Sequence, residues 1–159
     1  MPLKIRWSSK EYIHYAILLL AASGLFQVFY IYLGQYILDV GNYVIVIIIP
    51  IGVVVATFFA STIIFEAFAQ VEQRAKLKRQ FKKSKGYSSR IKSFLYFPIV
   101  RPLIITFIFF TVLFFIIYSI SLIFLSSQDS YLIAEISSGI GCLLIANAFE
   151  KNYAKVRRF

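Results

Sequence analysis

Apolar and polar positions alternate along this chain in long blocks rather than in the short periods of a soluble core. Four runs are apolar almost throughout, at residues 12–33, 43–68, 98–125 and 131–149. Each reaches the length of about 20 residues that a helix needs to cross roughly 30 Å of hydrocarbon. The run at 45–55 is rich in Val and Ile, which favour strand in water. In lipid the backbone must satisfy its own hydrogen bonds within each segment, and helix is the expected outcome. The predicted fold is therefore all-α, an integral membrane protein of four transmembrane helices forming one membrane domain over residues 1–159. The breaks between runs are short at Asp39–Asn42 and Ser126–Ser130, where Asp, Gly, Asn and Ser supply turn chemistry. Short connectors of this kind predict two antiparallel hairpins. Pro50 falls early in the second run and predicts a kink, because proline removes one helical donor. The third run is about 28 residues, or about 42 Å as helix, so tilt or protrusion is expected.

Between the hairpins lies the one sizeable polar segment, residues 70–97. Residues 71–85 are predicted to carry the second helix onward, and Gly86 to break it. Trp7, Tyr12 and Tyr15 mark one interface, and Tyr30, Tyr32, Tyr36 and Tyr43 the other. The first run is too long for a signal-peptide core and is read as retained.

Composition agrees with this layout: 60% of residues are hydrophobic and only 15% charged, against about a quarter charged in an ordinary soluble domain. The net charge is +10, and its placement matters more than its size. Every Lys and Arg lies before the first run, between the second and third, at the very start of the third (Arg101), or after the fourth. The positive-inside rule then places both termini and the basic segment on the cytoplasmic side of a cell membrane. Arg74, Lys76, Lys78, Arg79, Lys82, Lys83 and Lys85 are the candidates for contact with anionic lipid headgroups or with an acidic partner. Nucleic acid is not expected, since Phe81 and Tyr87 do not form a stacking platform among these charges.

Small residues indicate which helices pack. Gly52, Ala56 and Ala60 recur at spacing four, and the fourth run carries Ser138, Cys142 and Ala146 at the same spacing. Such stripes let helix backbones approach closely, within the chain or between chains. The third run is bulky with Phe107, Phe109, Phe110, Phe114, Phe115 and Phe124, and is expected to be the most lipid-exposed.

Ionisable residues within a span are costly and often functional. Glu66 and Arg101 lie at similar depth and form a candidate ion pair pinning two helices. Glu135 is one turn inside the fourth run. Its simplest expectation is to snorkel to the outer surface, with a cation or substrate contact as the alternative. Ser23, Gln27 and Tyr30 share a face of the first helix and are expected to hydrogen-bond Thr106, Thr111 or Ser138. Asn147 is expected to bond a neighbouring helix. His14 is the single histidine and Cys142 the single cysteine, so neither haem ligation, a zinc site nor a disulfide is expected. No cofactor is predicted. The motifs GxxxxGK[ST], HExxH and GxSxG are missing, as are paired membrane-level aspartates, so the chain is not expected to be an enzyme.

The leading expectation is a non-catalytic membrane subunit or scaffold of a larger membrane complex, working with other membrane proteins or with copies of itself. The alternative is a small oligomeric channel or transporter for an ion or small solute. The feature that separates them is whether Ser23, Gln27 and Glu135 face one polar path in the bundle interior.

Overall fold

The computed structural model of the chain describes residues 10–79 and 99–153. They form four helices: α1 (Lys10–Tyr36), α2 (Tyr43–Arg79), α3 (Val100–Ser121) and α4 (Ser127–Tyr153). Each contains a stretch long and apolar enough to cross a membrane: Ile13–Tyr36, Tyr43–Val71, Val100–Ser121 and Ser127–Asn152. The described fold is all-helical, that of a multi-pass membrane protein. Its second helix continues beyond its apolar stretch to Arg79 and so carries the backbone of Arg74, Lys76, Lys78 and Arg79. Lys82, Lys83 and Lys85 lie outside the described residues, as does Trp7.

The distribution of polarity is that of a body built for lipid. Leu25, Ile123 and Phe124 are about three-quarters exposed, and exposed Ile, Leu and Val cover all four helices. Ser23, Gln27, Ser61, Thr106, Glu135 and Ser138 are buried. In water this arrangement would leave an apolar surface far larger than a monomer tolerates. In hydrocarbon it gives each polar group the only shelter available.

Local chemistry sets the helix ends more sharply than hydropathy does. Asn42 caps α2: its side-chain oxygen accepts from the backbone N–H groups of Val44 at 3.1 Å and Ile45 at 3.4 Å. The preceding turn places Asp39 and Gly41 at positive φ, +46° and +74°. This conformation costs glycine little and aspartate less than most residues. Ser126 caps α4 by accepting from the Asp129 N–H at 3.3 Å while donating to the Asp129 carboxylate at 2.8 Å. α3 ends at Ser121, and residues 122–126 form the connector although their composition continues the apolar run. The Ser127 hydroxyl donates to the Leu38 carbonyl at 3.2 Å and so holds the two connectors together.

Two modes of packing join the helices. α4 lies close against α2 and α3 because its glycines permit it. A Cβ on Gly139 would sit 3.1 Å from Val53 and 3.4 Å from Ala56 of α2, and one on Gly141 would sit 2.7 Å from Leu113 of α3. α1 and α3 stand further apart, and aromatic rings fill the gap. Phe26 stacks on Phe107 at 4.0 Å between ring centroids, and Tyr30 meets Phe110 at 5.0 Å and Phe114 at 4.8 Å, edge to face. Phe110 and Phe114 are therefore core residues, fully buried, and not part of a lipid-facing stripe. Phe109, Phe115 and Phe124 do face outward.

Of the small residues, Ala60, Ser138, Cys142 and Ala146 are buried, and Ala56 packs at the α2–α4 contact. Gly52 is exposed, with nothing within 4 Å of a Cβ placed on it. Pro50 is buried within α2 and leaves the Val46 carbonyl without its helical donor.

These two glycines give a direct test of the packing. Gly139→Leu is expected to force α2 from α4 at a cost of about 1–3 kcal/mol. The thermal unfolding midpoint in detergent falls accordingly, while Gly52→Leu leaves it unchanged or raised.

Candidate functional site: a buried carboxyl in the bundle interior

Burial without a partner singles out four side chains. Among the described residues, the buried side-chain oxygens and nitrogens that lack a hydrogen-bond partner within the chain belong to Ser23, Gln27, Ser130 and Glu135. Each is at most 1% exposed. Glu135 and Gln27 have both of their terminal atoms unpartnered. Buried polar groups are ordinarily satisfied, and in hydrocarbon the cost of failing is highest. Glu135 does not snorkel. Its position on α4 turns it inward, on the same face as Tyr131 and Ser138 at helical spacing.

Depth follows from register. Glu135 is eight residues into α4 and Gln27 nine residues before the end of α1, so each lies about 12–14 Å from its connector end. The Tyr131 hydroxyl donates to the Tyr30 carbonyl at 3.1 Å and ties the two helices one turn nearer the connectors. A Cβ on Gly34 would meet the Tyr131 ring at 2.9 Å, so glycine there admits the tyrosine. Moving away from that bond, α1 presents Gln27 and then Ser23 to the interior, and α4 presents Glu135 and then Ser138.

The tyrosines close the connector side. The Tyr30 hydroxyl donates to Thr111 at 3.0 Å, and Thr111 donates to the Phe107 carbonyl at 2.8 Å. Tyr131 packs on Phe114 at 5.8 Å. Beyond them, Tyr118 and Ser127 share a hydrogen bond of 3.2 Å. On the other side of Glu135, Ser23 lacks a partner, but the remaining polar groups have one. Ser138 donates to the Ala134 carbonyl at 2.6 Å, and Thr57 to the Val53 carbonyl at 3.1 Å. Ser61 donates to Thr106 at 3.2 Å, and the Cys142 thiol to the Thr106 carbonyl at 3.7 Å. Below these, Ala60, Ile64, Ala67 and Ala146 close the interior with apolar surface. The result is a buried polar layer in which the hydroxyls of Thr57, Ser61, Thr106 and Ser138 are engaged, but Ser23, Gln27 and Glu135 are not.

The other candidates lie elsewhere. Glu66 is half-buried near the far end of α2, and its electrostatic neighbour is the Glu150 carboxylate. Phe68 and Phe149 bring α2 and α4 together there, with ring centroids 5.4 Å apart. Arg101 is exposed at the start of α3. Asn147 is exposed rather than set between helices, and His14 is exposed on α1. Ser130 escaped the sequence reading because it lies in the connector by composition, yet it is buried in the first turn of α4. No group of three or more His, Cys, Asp or Glu side chains able to hold a metal occurs among the described residues.

Comparison with protein-family models, with curated proteins and with solved structures gives no match. The site is therefore interpreted from its own chemistry.

That chemistry makes opposite demands on two neighbouring positions. Glu135→Leu removes an unpartnered buried polar group and is expected to stabilise the folded protein by about 1–3 kcal/mol. Tyr131→Phe removes a hydrogen bond that is made and is expected to destabilise it by about 0.5–1.5 kcal/mol. Thermal unfolding of the two variants in one detergent checks both signs.

Proposed function

We propose that this chain is a small, non-enzymatic membrane transport protein for an ion or small solute, with its binding site at Glu135 and Gln27. One observation carries the reading: an acid fully buried inside a membrane bundle, with a buried amide at similar depth on α1, and no partner for either. A group kept for structure would be expected to have its hydrogen bonds made. An unmade set, held at a cost in stability, is the pattern of a site that waits for a ligand. Four helices enclose little aqueous space, so a water-filled pore would need several chains. An occluded site within one bundle suits a carrier that exposes Glu135 to one side at a time.

In this reading the helices form two antiparallel hairpins in a cell membrane, with both termini and the basic segment in the cytoplasm. The confinement of all Lys and Arg to those three regions and the adjoining start of α3 supports that orientation. The basic residues of 74–85 lie against anionic headgroups and fix the cytoplasmic end of α2.

A second reading, a membrane subunit or scaffold, is favoured by Gly52. It faces outward, one step along the stripe that Ala56 and Ala60 continue into the bundle, and leaves room for a helix of another chain.

Reconstitution separates the two. Purified protein in liposomes is expected to dissipate an imposed gradient of H⁺, Na⁺ or K⁺, followed with ion-sensitive dyes. Glu135→Gln and Gln27→Ala are expected to abolish that flux while retaining monodisperse elution. Failure to move any of the three ions, together with purification from native membrane at fixed ratio with other proteins, would remove the transport reading in favour of the subunit.

A further inference from the structure

The charge around Glu135 narrows what its site can hold. Across the depth of the compartment, α1 has no ionisable residue between Ala16 and Phe29, α2 none between Val44 and Phe65, and α3 none between Pro102 and Ile117. The titratable groups that face Glu135 are the Tyr30 and Tyr131 hydroxyls and, further along α4, the Cys142 thiol. None of them carries a positive charge in any state. Glu66, Glu150 and Arg101 are all far from the connector ends of their helices, away from the depth of Glu135. The carboxylate form would therefore be an isolated charge in a low-dielectric interior, which burial without a partner disfavours. Among the described residues nothing neutralises it, so the neutralising species is a single positive charge brought from outside the bundle.

The ligand set also bears on which charge. Glu135 offers two oxygens, Gln27 one, and Ser23 one from the next turn. A hard divalent cation takes six to eight oxygens, usually with more than one carboxylate. A proton needs one lone pair. Gln27 suits that choice, because an amide can donate to a carboxylate and accept from a carboxylic acid. Buried at similar depth on α1 and itself unpartnered, it is a polar group suited to both states of Glu135. A lysine would fix the charged state, and a second acid would compete for the proton.

We infer that Glu135 is a proton-exchanging carboxyl, holding one proton in the occluded bundle with Gln27 as the polar group suited to both protonation states. The inference rests on reading this interior as a transport site and names its ion.

The hydrophobic reagent dicyclohexylcarbodiimide tests it. The reagent takes up the proton of a carboxylic acid, the carboxylate oxygen adds to its central carbon, and the adduct rearranges to a stable N-acylurea. The full chain is treated in mild detergent across acidic to alkaline pH, and each acid is scored by mass spectrometry. The expected result is modification at Glu135 that falls as pH rises, is lost in Glu135→Gln and is unchanged by Na⁺ or K⁺. Gln27→Ala is expected to keep the label and shift the pH at which it falls. Protection by Na⁺ or K⁺ would overturn the proton assignment in favour of a metal cation while leaving the transport reading intact. No label in the folded chain at any pH, when the same chain labels at Glu135 in denaturing detergent, would overturn exchange altogether. Labelling as expected without flux in liposomes would keep the proton site and remove the transport reading.

Discussion

Lipid offers no hydrogen bonds. Every feature of this bundle follows from that constraint, because each polar atom in a span must find a partner within the protein or bear the cost of having none. The backbone answers by forming helices even through the Val- and Ile-rich part of α2. Threonines answer locally: Thr57, Thr62, Thr106 and Thr111 each donate to a carbonyl of their own helix. Tyr30 and Tyr131 answer across helices. Against that background Glu135 and Gln27 stand out, because nearly everything around them has complied.

The two kinds of packing explain how such a compartment can exist. Glycines on α4 bring it against α2 and α3 so closely that a side chain at Gly139 or Gly141 would collide. No comparable stripe joins α1 to α3. There the rings of Phe26, Tyr30, Phe107, Phe110 and Phe114 hold the helices apart and fill the space with flat apolar surface. Glu135 is buried on the tightly packed helix, four residues from Tyr131. The Tyr30–Tyr131 bond closes one end and small apolar residues the other. Tight packing fixes the helix that carries the acid, and aromatic packing borders the helix that carries the amide.

Much of the architecture was legible in the sequence because membrane spans are set by length and hydropathy alone. The small-residue stripe on the fourth helix, Ser138, Cys142 and Ala146, is buried, while the closest approaches fall at the neighbouring Gly139 and Gly141. The seam of Ser23, Gln27 and Tyr30 was visible at helical spacing, and Tyr30 does reach Thr111. What hydropathy could not supply was the direction each side chain faces when both faces of a helix are apolar. Phe110 and Phe114 read as lipid-facing beside Phe109 and Phe115, since all four are equally at home in hydrocarbon. Glu135 read as a residue near a surface because it is close to the connector in sequence. Its burial depends on Tyr131 entering the space above Gly34, a tertiary contact with no local signal. The end of α3 was likewise set by the Ser126 cap and not by the apolar run that continues through Leu125.

The central claim is that a neutral carboxylic acid resides inside the folded bundle at Glu135. Infrared spectroscopy of the purified protein near neutral pH, compared with Glu135→Gln, tests it most directly. The expected result is a carbonyl stretch of a protonated carboxylic acid that is present in the native chain, shifts to lower frequency in deuterated buffer and is missing from the variant. A difference spectrum showing only carboxylate bands lost on substitution would contradict it, because Glu135 would then be charged and therefore paired or solvated.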